Sequence, residues 1–173
     1  MMYAIEKSEN LMEDAAKQNF SNKDSNDNLV LNTRFGKIEV EPEKAIYFPK
    51  GLYGFAEDLH FALTDFPAIA GVENFMLLQC LNDETISLPV FSASYNNSFI
   101  DEKDMKDCLD TVEVSEDNFA MMFIASSTKL SDGSFELSIN TKAPIVMDTG
   151  LKIAVQYIFT NNKYSIRQKL ENN

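Results

Sequence analysis

The sequence predicts a mainly β protein, an antiparallel sandwich or barrel that carries one short helix. Three observations lead to this fold class: apolar and polar residues alternate over several short stretches, turn residues separate these stretches, and one stretch has helical periodicity instead. Alternation with a period of two places one set of side chains on a core and the other in water. Apolar residues make up 45% of the 173 residues, enough for one domain with its own core.

The first of these patterns predicts three half-buried strands. Ile38 and Val40 alternate with glutamates, and the same alternation recurs in residues 134–140 and in residues 151–157. Two further stretches, 75–81 and 119–125, are more continuously apolar, which predicts strands buried on both faces. Asp132-Gly133 has the chemistry of a tight hairpin turn. Many short strands with turns between them indicate a sandwich or a barrel.

The helical stretch covers residues 101–110. Met105, Cys108, Leu109 and Val112 recur at the spacing of one helix face, and Asp101 stands where an N-cap belongs. Residues 101–117 carry eight acids and two lysines, which is half of the net charge of −12 in a tenth of the chain. The sequence therefore predicts a helix with a strongly acidic surface.

The first 28 residues differ from the rest, because residues 18–28 are almost wholly polar and cannot bury enough surface to offset the entropy of ordering. We expect residues 1–28 to form a flexible acidic extension and residues 29–170 to form the domain. Acidic residues interrupt the first twenty positions, so no signal peptide is expected. The longest apolar run has seven residues, so no membrane span is expected either.

Composition also restricts the function. A net charge of −12 argues against direct binding of nucleic acid, which needs clustered Lys and Arg. The two cysteines, Cys80 and Cys108, are too few for a disulfide scaffold and suggest a reducing compartment. These features predict a cytoplasmic protein.

No group of residues predicts catalysis, a metal or a cofactor. His60 is the only histidine and lies in a predicted strand, where a structural role is the simpler interpretation, although an enzyme using His60 and a carboxylate stays as an alternative. The acids at the helix surround it rather than converge as cation ligands would. Gly51-x-x-Gly54 is followed by Phe55 and no lysine, so it is not a phosphate-binding loop.

An acidic, non-catalytic β domain is suited to binding a basic macromolecule, with Asp104 and Asp107 as candidate steering residues.

Several motifs, taken in order, resemble one known family. They are Thr33-Arg34-Phe35-Gly36, the segment from Phe48 to Phe55 (F-P-x-G-L-x-G-F), Leu78-Gln79, Asn140 with Ala143-Pro144-Ile145-Val146, and Tyr164 to Arg167. This series covers nearly all of residues 29–170 and is similar to that of the bacterial flagellar assembly factor FliW family. The resemblance implies a small antiparallel β-barrel-like domain without enzymatic activity.

The same resemblance implies two protein partners. Members of the family bind flagellin in the cytoplasm and also bind CsrA, an RNA-binding repressor of flagellin translation. Export of flagellin would free the factor to sequester CsrA, which is partner switching. We expect no direct contact with nucleic acid or membrane, and a monomer when free, because charged strands such as residues 38–41 discourage edge pairing. A generic acidic chaperone or adaptor of barrel fold for another secreted protein is the alternative function.

The motifs also suggest site residues. In the Pro- and Gly-containing segment, Phe48, Leu52 and Phe55 could be presented to a partner by Gly51 and Gly54, with core packing at a barrel corner as the alternative. A structural role is expected for the remaining motif residues, which are Phe35, Gly36, Pro49, Gln79, Asn140, Pro144, Tyr164 and Arg167. The chain departs from the family by its extension, by Cys80 after Leu-Gln, and by Asp148 beyond Val146.

Overall fold

The computed structural model describes residues 28–57, 59–66, 74–93 and 99–170, in which two sheets and one α-helix are assigned. The helix α1 spans Glu102–Val112, and a short 3-10 helix spans Pro42–Lys44. The strands are β1 Leu29–Thr33, β2 Gly36–Val40, β3 Ile46–Tyr47, β4 His60–Asp65, β5 Phe75–Cys80, β6 Ser87–Ala93, β7 Phe119–Lys129, β8 Phe135–Ile139, β9 Ile145–Asp148, β10 Ile153–Gln156 and β11 Gln168–Lys169.

The larger sheet closes into a barrel. Its strand order is β11-β8-β7-β6-β5-β4-β3-β10-β9, and β9 pairs in turn with β7, so that β7, β6, β5, β4, β3, β10 and β9 form a ring. The pairs are antiparallel except for β3 with β10, which are parallel. Strands β8 and β11 extend from the ring as an arm, and β1 with β2 form a separate hairpin. The predicted mainly β, barrel-like fold is confirmed.

The inside of the barrel is filled by large apolar side chains. Phe48 and Phe61 lie there with ring centroids 5.0 Å apart in an edge-on arrangement that aromatic rings favour. Leu78 and Cys80 of β5 point into the same core, while Leu77 points to the outer face and is equally buried. The prediction that residues 75–81 are buried on both faces is confirmed for Leu77 to Leu81, because the outer face of the barrel is itself covered.

Two elements cover that outer face. The β1–β2 hairpin packs Leu29, Leu31, Ile38 and Val40 against β4 and β5, as the alternation in β2 predicts. Helix α1 packs its apolar face against β6, β7 and β8, and its fully buried residues are Cys108 and Leu109. The predicted helix face is therefore the core face.

The helix boundaries and cap differ from the prediction. The helix begins at Glu102 and ends at Val112, two residues beyond the predicted end, and Glu113 closes it with a left-handed φ of 60°. Asp101 occupies the N-cap position, but its side chain makes no capping hydrogen bond, because its carboxylate pairs with Lys163 at 2.8 Å. A tertiary ion pair has replaced the local cap.

Two other strand predictions need correction. The predicted strand over residues 151–157 is limited to Ile153–Gln156, because Lys152 has a φ of 53° and ends a turn in which Leu151 is exposed. Its buried residue is Ala154, on the face opposite to the one predicted, because β10 lies between the barrel core and the core under α1. Phe135 was expected on a core face and is 64% exposed, because the β7–β8 arm extends past the barrel. The turn in that arm has Gly133 at a φ of 87°, as predicted.

The segment after β10 is tied to the helix by a polar cluster. The Tyr164 hydroxyl donates to Asp104 Oδ2 at 2.6 Å and accepts from the Asp101 N–H at 3.1 Å. Lys163 Nζ lies 2.9 Å from Asp104 Oδ2, so one carboxylate oxygen joins two residues. The Tyr164 and Lys163 hydrogen bonds lower the pKa of Asp104, and burial together with Asp104 raises the pKa of Tyr164 to about 12. This cluster fixes the C-terminal segment against α1.

Gly51 and Gly54 both have a backbone conformation in the left-handed region of φ, and at Gly51 there is in addition no room for a side chain. Gly51 has a φ of 62° and Gly54 a φ of 91°. A Cβ on Gly51 would lie 2.4 Å from the Phe55 carbonyl oxygen, whereas a Cβ on Gly54 would meet nothing within 4 Å. Of these two glycines, Gly51 is therefore the one with backbone atoms packed where a side chain would be.

We expect Gly51→Ala to lower the free energy of unfolding by about 3 kcal/mol, because a steric clash adds to the conformational cost, and Gly54→Ala to lower it by about 1 kcal/mol, the cost of the left-handed conformation alone. Urea denaturation of the two variants beside the unmodified protein measures the difference. Equal stability of the two variants would contradict the steric role of the Phe55 carbonyl.

Tyr164→Phe should destabilise the protein most at neutral pH and progressively less as the pH falls below about 4. The folded-state pKa of Asp104 is held below its ordinary 3.8, so the carboxylate contributes stability above that value and loses it as it becomes protonated. Urea midpoints between pH 7 and pH 3 measure this difference. Tyr53→Phe is the control, because Tyr53 is 67% exposed; a constant deficit for Tyr164→Phe at all pH values would be inconsistent with the cluster.

Candidate functional site

A groove lies where the loop after β3 faces the end of α1. It encloses about 690 Å³. Its walls are residues 50–54 with Ala56 from the loop, Thr111 to Glu113 from the helix end, and Val155 to Ile158 from β10 and the chain after it. Three separate parts of the sequence therefore meet at one surface.

The loop wall is built from two consecutive turns. Pro49 opens the first, with the Gly51 N–H donating to the Phe48 carbonyl at 2.9 Å, and proline suits this position because its φ is already set. In the second, Leu52 and Phe55 exchange backbone hydrogen bonds of 2.8 and 3.3 Å around Tyr53 and Gly54. Tyr53 and Gly54 form the tip of the second turn, and Tyr53 is exposed there.

Gln156 holds this loop against the barrel. Its Oε1 accepts from the Tyr53 N–H at 3.0 Å, and its Nε2 donates to the Ala143 carbonyl at 3.2 Å. Ala143 belongs to a turn in which its own N–H donates to Asn140 Oδ1 at 3.0 Å. The Asn140 to Pro144 motif thus supports the loop through one glutamine.

Exposure divides the predicted contact residues of the loop. Phe48 and Leu52 are 0% and 1% exposed and belong to the barrel core, so they are removed from the candidate contact surface. Phe55 is half-buried against the same core. Tyr53 is 67% exposed and Ile158 across the groove is 40% exposed. Of the large apolar residues that line the groove, these two are the exposed ones.

The acidic residues divide in a similar way. Asp104 is only 14% exposed at its side chain and is engaged by Lys163 and Tyr164, and Asp107 pairs with Lys103 at 2.8 Å. Lys106 lies near Asp110 and Glu116. Among the described residues no cation pairs with Glu102, Glu113 or Asp117. These three carboxylates therefore differ from Asp104 and Asp107, which described lysines engage.

The remaining motif residues occupy defined places in the fold. Phe35 meets Phe66 edge-on at 4.9 Å, and Gly36 begins β2 with a φ of 116°. Gln79 is fully buried, donates to the Cys80 and Asp83 carbonyls at 2.8 and 3.2 Å, and accepts from the Ser87 hydroxyl. Pro144 directly precedes β9.

For Arg167 a structural role is expected, but its side chain makes no hydrogen bond among the described residues. Its side chain is exposed, and its backbone N–H donates to Ser165 Oγ at 3.0 Å. It lies in the exposed turn before β11, beyond the side chains of the polar cluster at Tyr164.

The two residue types considered for chemistry are buried. His60 is 8% exposed, burial lowers its pKa, and its Nε2 has no partner among the described residues. Burial also raises the pKa of the Cys108 thiol to about 12. Within the ranges described, no three His, Cys, Asp or Glu residues are grouped to hold a metal ion. In the same ranges no helix has the length and apolar character to cross a membrane.

The sequence pattern does not single out four residues of the groove: Tyr53, Glu113, Gln156 and Ile158. A signal existed only for Tyr53, since a large aromatic residue two positions before Phe55 and beside Gly54 stands at the tip of a predicted turn. The other three reach the groove through strand and helix packing.

Comparisons with known proteins agree with this architecture. The family model described as "FliW protein" matches residues 29–170. The Flagellar assembly factor FliW of Clostridium botulinum strain Langeland is 29% identical over 148 residues, covering 82% of this chain and 96% of that protein. The Flagellar assembly factor FliW of Thermotoga maritima is 30% identical over 144 residues, covering 82% and 93%.

A crystal structure of the flagellar assembly factor FliW has the same fold. It superposes with a TM-score of 0.63 at 23% identity, covering 84% of this chain and 98% of that one. Since the family model matches most of the chain, from β1 to the residue after β11, the protein belongs to the FliW family of flagellar assembly factors.

Proposed function

We propose that this protein is a non-catalytic, cytoplasmic assembly factor that binds flagellin and CsrA alternately. Membership of the FliW family supports the role in flagellar assembly. The observation that supports the partner switch is the position of Glu113, which lines the groove and is also one of the three carboxylates near α1 that pair with no cation among the described residues. Two partners that use these two surfaces would compete for the same place.

Flagellin is assigned to the groove. Tyr53 and Ile158 offer exposed apolar surface on opposite walls, while Gln156 and the Gly51 backbone keep the loop in place before binding. A preformed groove binds at a lower entropic cost than one that must be ordered. Large aromatic residues are the side chains most often found at the energetic centre of such interfaces.

CsrA is assigned to the acidic surface around α1. A protein that binds RNA needs clustered basic residues, and a surface of opposite sign accelerates its association. Glu102, Glu113 and Asp117 can interact with such a partner, since no described cation neutralises them. If the protein were instead a generic acidic chaperone for another secreted protein, that partner would bind in the same groove and would not need to contact the acidic surface.

Tyr53→Ala should weaken flagellin binding at least tenfold, because it removes the exposed ring from the groove. Titration calorimetry with purified flagellin measures the change. Phe135→Ala is the matched control, since Phe135 is 64% exposed on the arm. Binding of flagellin with unchanged affinity by Tyr53→Ala would remove the groove from the proposal.

The triple variant Glu102→Gln, Glu113→Gln, Asp117→Asn should slow the association of CsrA and flatten its dependence on salt. The matched control, Glu39→Gln, Glu43→Gln, Glu57→Gln, changes the net charge by the same amount elsewhere on the surface. Stopped-flow association at several salt concentrations distinguishes the two. Equal slowing by both variants would mean that only net charge matters.

Saturating flagellin should prevent CsrA from binding to the unmodified protein. Binding of both partners at once would contradict the switch. Binding of flagellin alone would leave a flagellin chaperone, and binding of neither would favour a chaperone for another protein.

A further inference from the structure

One side of strand β10 forms a strand edge at the bottom of the groove. Strand β10 pairs with β9 along its whole length, whereas its pairing with β3 on the other side is limited to Ile153 and Tyr47. Two residues after Tyr47, Pro49 occupies the position of the next backbone donor toward β10, and proline has no N–H. Beyond this point no described strand pairs with the β3 side of β10.

The backbone groups of this edge point toward the groove. The Tyr157 N–H donates to the Pro144 carbonyl at 2.9 Å, and the Phe159 N–H continues this ladder two residues later. Because backbone groups alternate in direction along an extended chain, the N–H and C=O groups of Gln156 and Ile158 face the opposite side. No residue in the described ranges hydrogen-bonds to the backbone of Ile158. The edge therefore offers backbone donors and acceptors to a bound chain.

The two walls of the groove lie on opposite faces of this edge. Gln156 holds the loop wall on one face, since its side chain accepts from the Tyr53 N–H at 3.0 Å. Val155 and Tyr157, on the other face, pack against the core under α1, whose last residues form the helix wall. A strand added beside Ile158 would therefore lie between the walls, with its side chains directed alternately to the loop and to the helix end.

The helix wall favours a positive charge. It includes the end of α1, where the carbonyls of Thr111 and Val112 accept no hydrogen bond from a described residue and the helix dipole is negative. Glu113 adds a carboxylate that pairs with no cation in the described part of the chain. Lys50 stands on the opposite wall, so a basic side chain of a bound segment is directed to the helix end.

The loop wall favours apolar side chains instead. The Tyr53 ring is exposed there, and Ile158, on the same face of the strand as Gln156, is exposed beside it. A segment that suits both walls thus alternates apolar residues with residues that include a lysine or an arginine. This is the pattern of a strand with two different faces.

We propose that flagellin docks in this groove as an extended segment that pairs with the edge at Gln156 and Ile158. Its apolar side chains face Tyr53, and one lysine or arginine faces Glu113. The inference rests on the proposed function for the identity of the partner and adds the mode of binding. An added strand gains affinity from backbone hydrogen bonds and selectivity from its alternate side chains.

Hydrogen exchange in the full-length protein, followed by NMR, tests the pairing. In the free protein the Ile158 amide should exchange as an unprotected amide, whereas its bond to Pro144 should protect the Tyr157 amide. Saturating flagellin should slow exchange of the Ile158 and Gln156 amides at least tenfold. A protected Ile158 amide in the free protein would overturn the proposal, and so would unchanged exchange of this amide in the flagellin complex.

A proline substitution tests the backbone contribution. Ile158→Pro removes the N–H from the edge, whereas its control, Ile158→Ala, keeps the N–H and loses most of the side chain. Since no described group accepts from the Ile158 N–H, both variants should fold, which thermal melting checks. Calorimetry should show flagellin bound at least tenfold more weakly by Ile158→Pro than by Ile158→Ala. Equal affinities would mean that the side chain alone contributes and would overturn strand pairing.

Neutralising the helix wall tests the assigned charge. Glu113→Gln should weaken flagellin binding at least threefold and flatten its dependence on salt, because a basic side chain loses its partner. Glu39→Gln, an exposed position on β2, is the matched control and should change neither quantity. Identical affinities and salt dependences of the two variants would contradict a basic residue at Glu113.

The outcomes separate the mode of binding from the identity of the partner. If the unmodified protein does not bind flagellin, the proposed function and this inference both fail. If flagellin binds tightly while the Ile158 amide keeps its exchange rate, strand pairing alone fails and the groove stays assigned to flagellin.

Discussion

The fold depends on one long strand, β7, which pairs with three others. Its first part pairs with β9, its middle with β6, and its last part with β8, so that it closes the barrel and also begins the arm. Met121 and Met122 point to opposite sides, into the core under α1 and into the barrel core. Because both cores share this strand, the helix and the barrel cannot pack independently of each other.

The same closure positions the groove. Pairing of β9 and β10 brings Gln156 next to the loop after β3, where it accepts from the Tyr53 N–H. Gly51 allows the loop to return close to the Phe55 carbonyl, which buries Leu52 and leaves Tyr53 outside. The groove is therefore a consequence of core packing, and its exposed side chains are those that the core excludes.

The net charge of the protein does not describe how its charged side chains are paired on the surface. A net charge of −12 does not show which carboxylates can meet a partner, since lysines near α1 already engage several of them. Surface ion pairs contribute little to stability, but they reduce the field that an approaching protein encounters. The polar cluster at Asp104 differs from the others, because Tyr164 takes part and joins two distant segments.

The sequence by itself determined the fold class, the core face of α1, the Gly133 turn and the family resemblance, because these depend on local periodicity, turn chemistry and short motifs. Only the tertiary structure decided that Asp104 is engaged, that Leu52 is buried while Tyr53 is exposed, and that Ala154 is the buried residue of β10. Each of these depends on a contact with a residue far away in the chain, such as Lys163 for Asp104 or Gln156 for Tyr53. A local pattern indicates which side chains are suited to burial, and packing between distant segments decides which of them are buried.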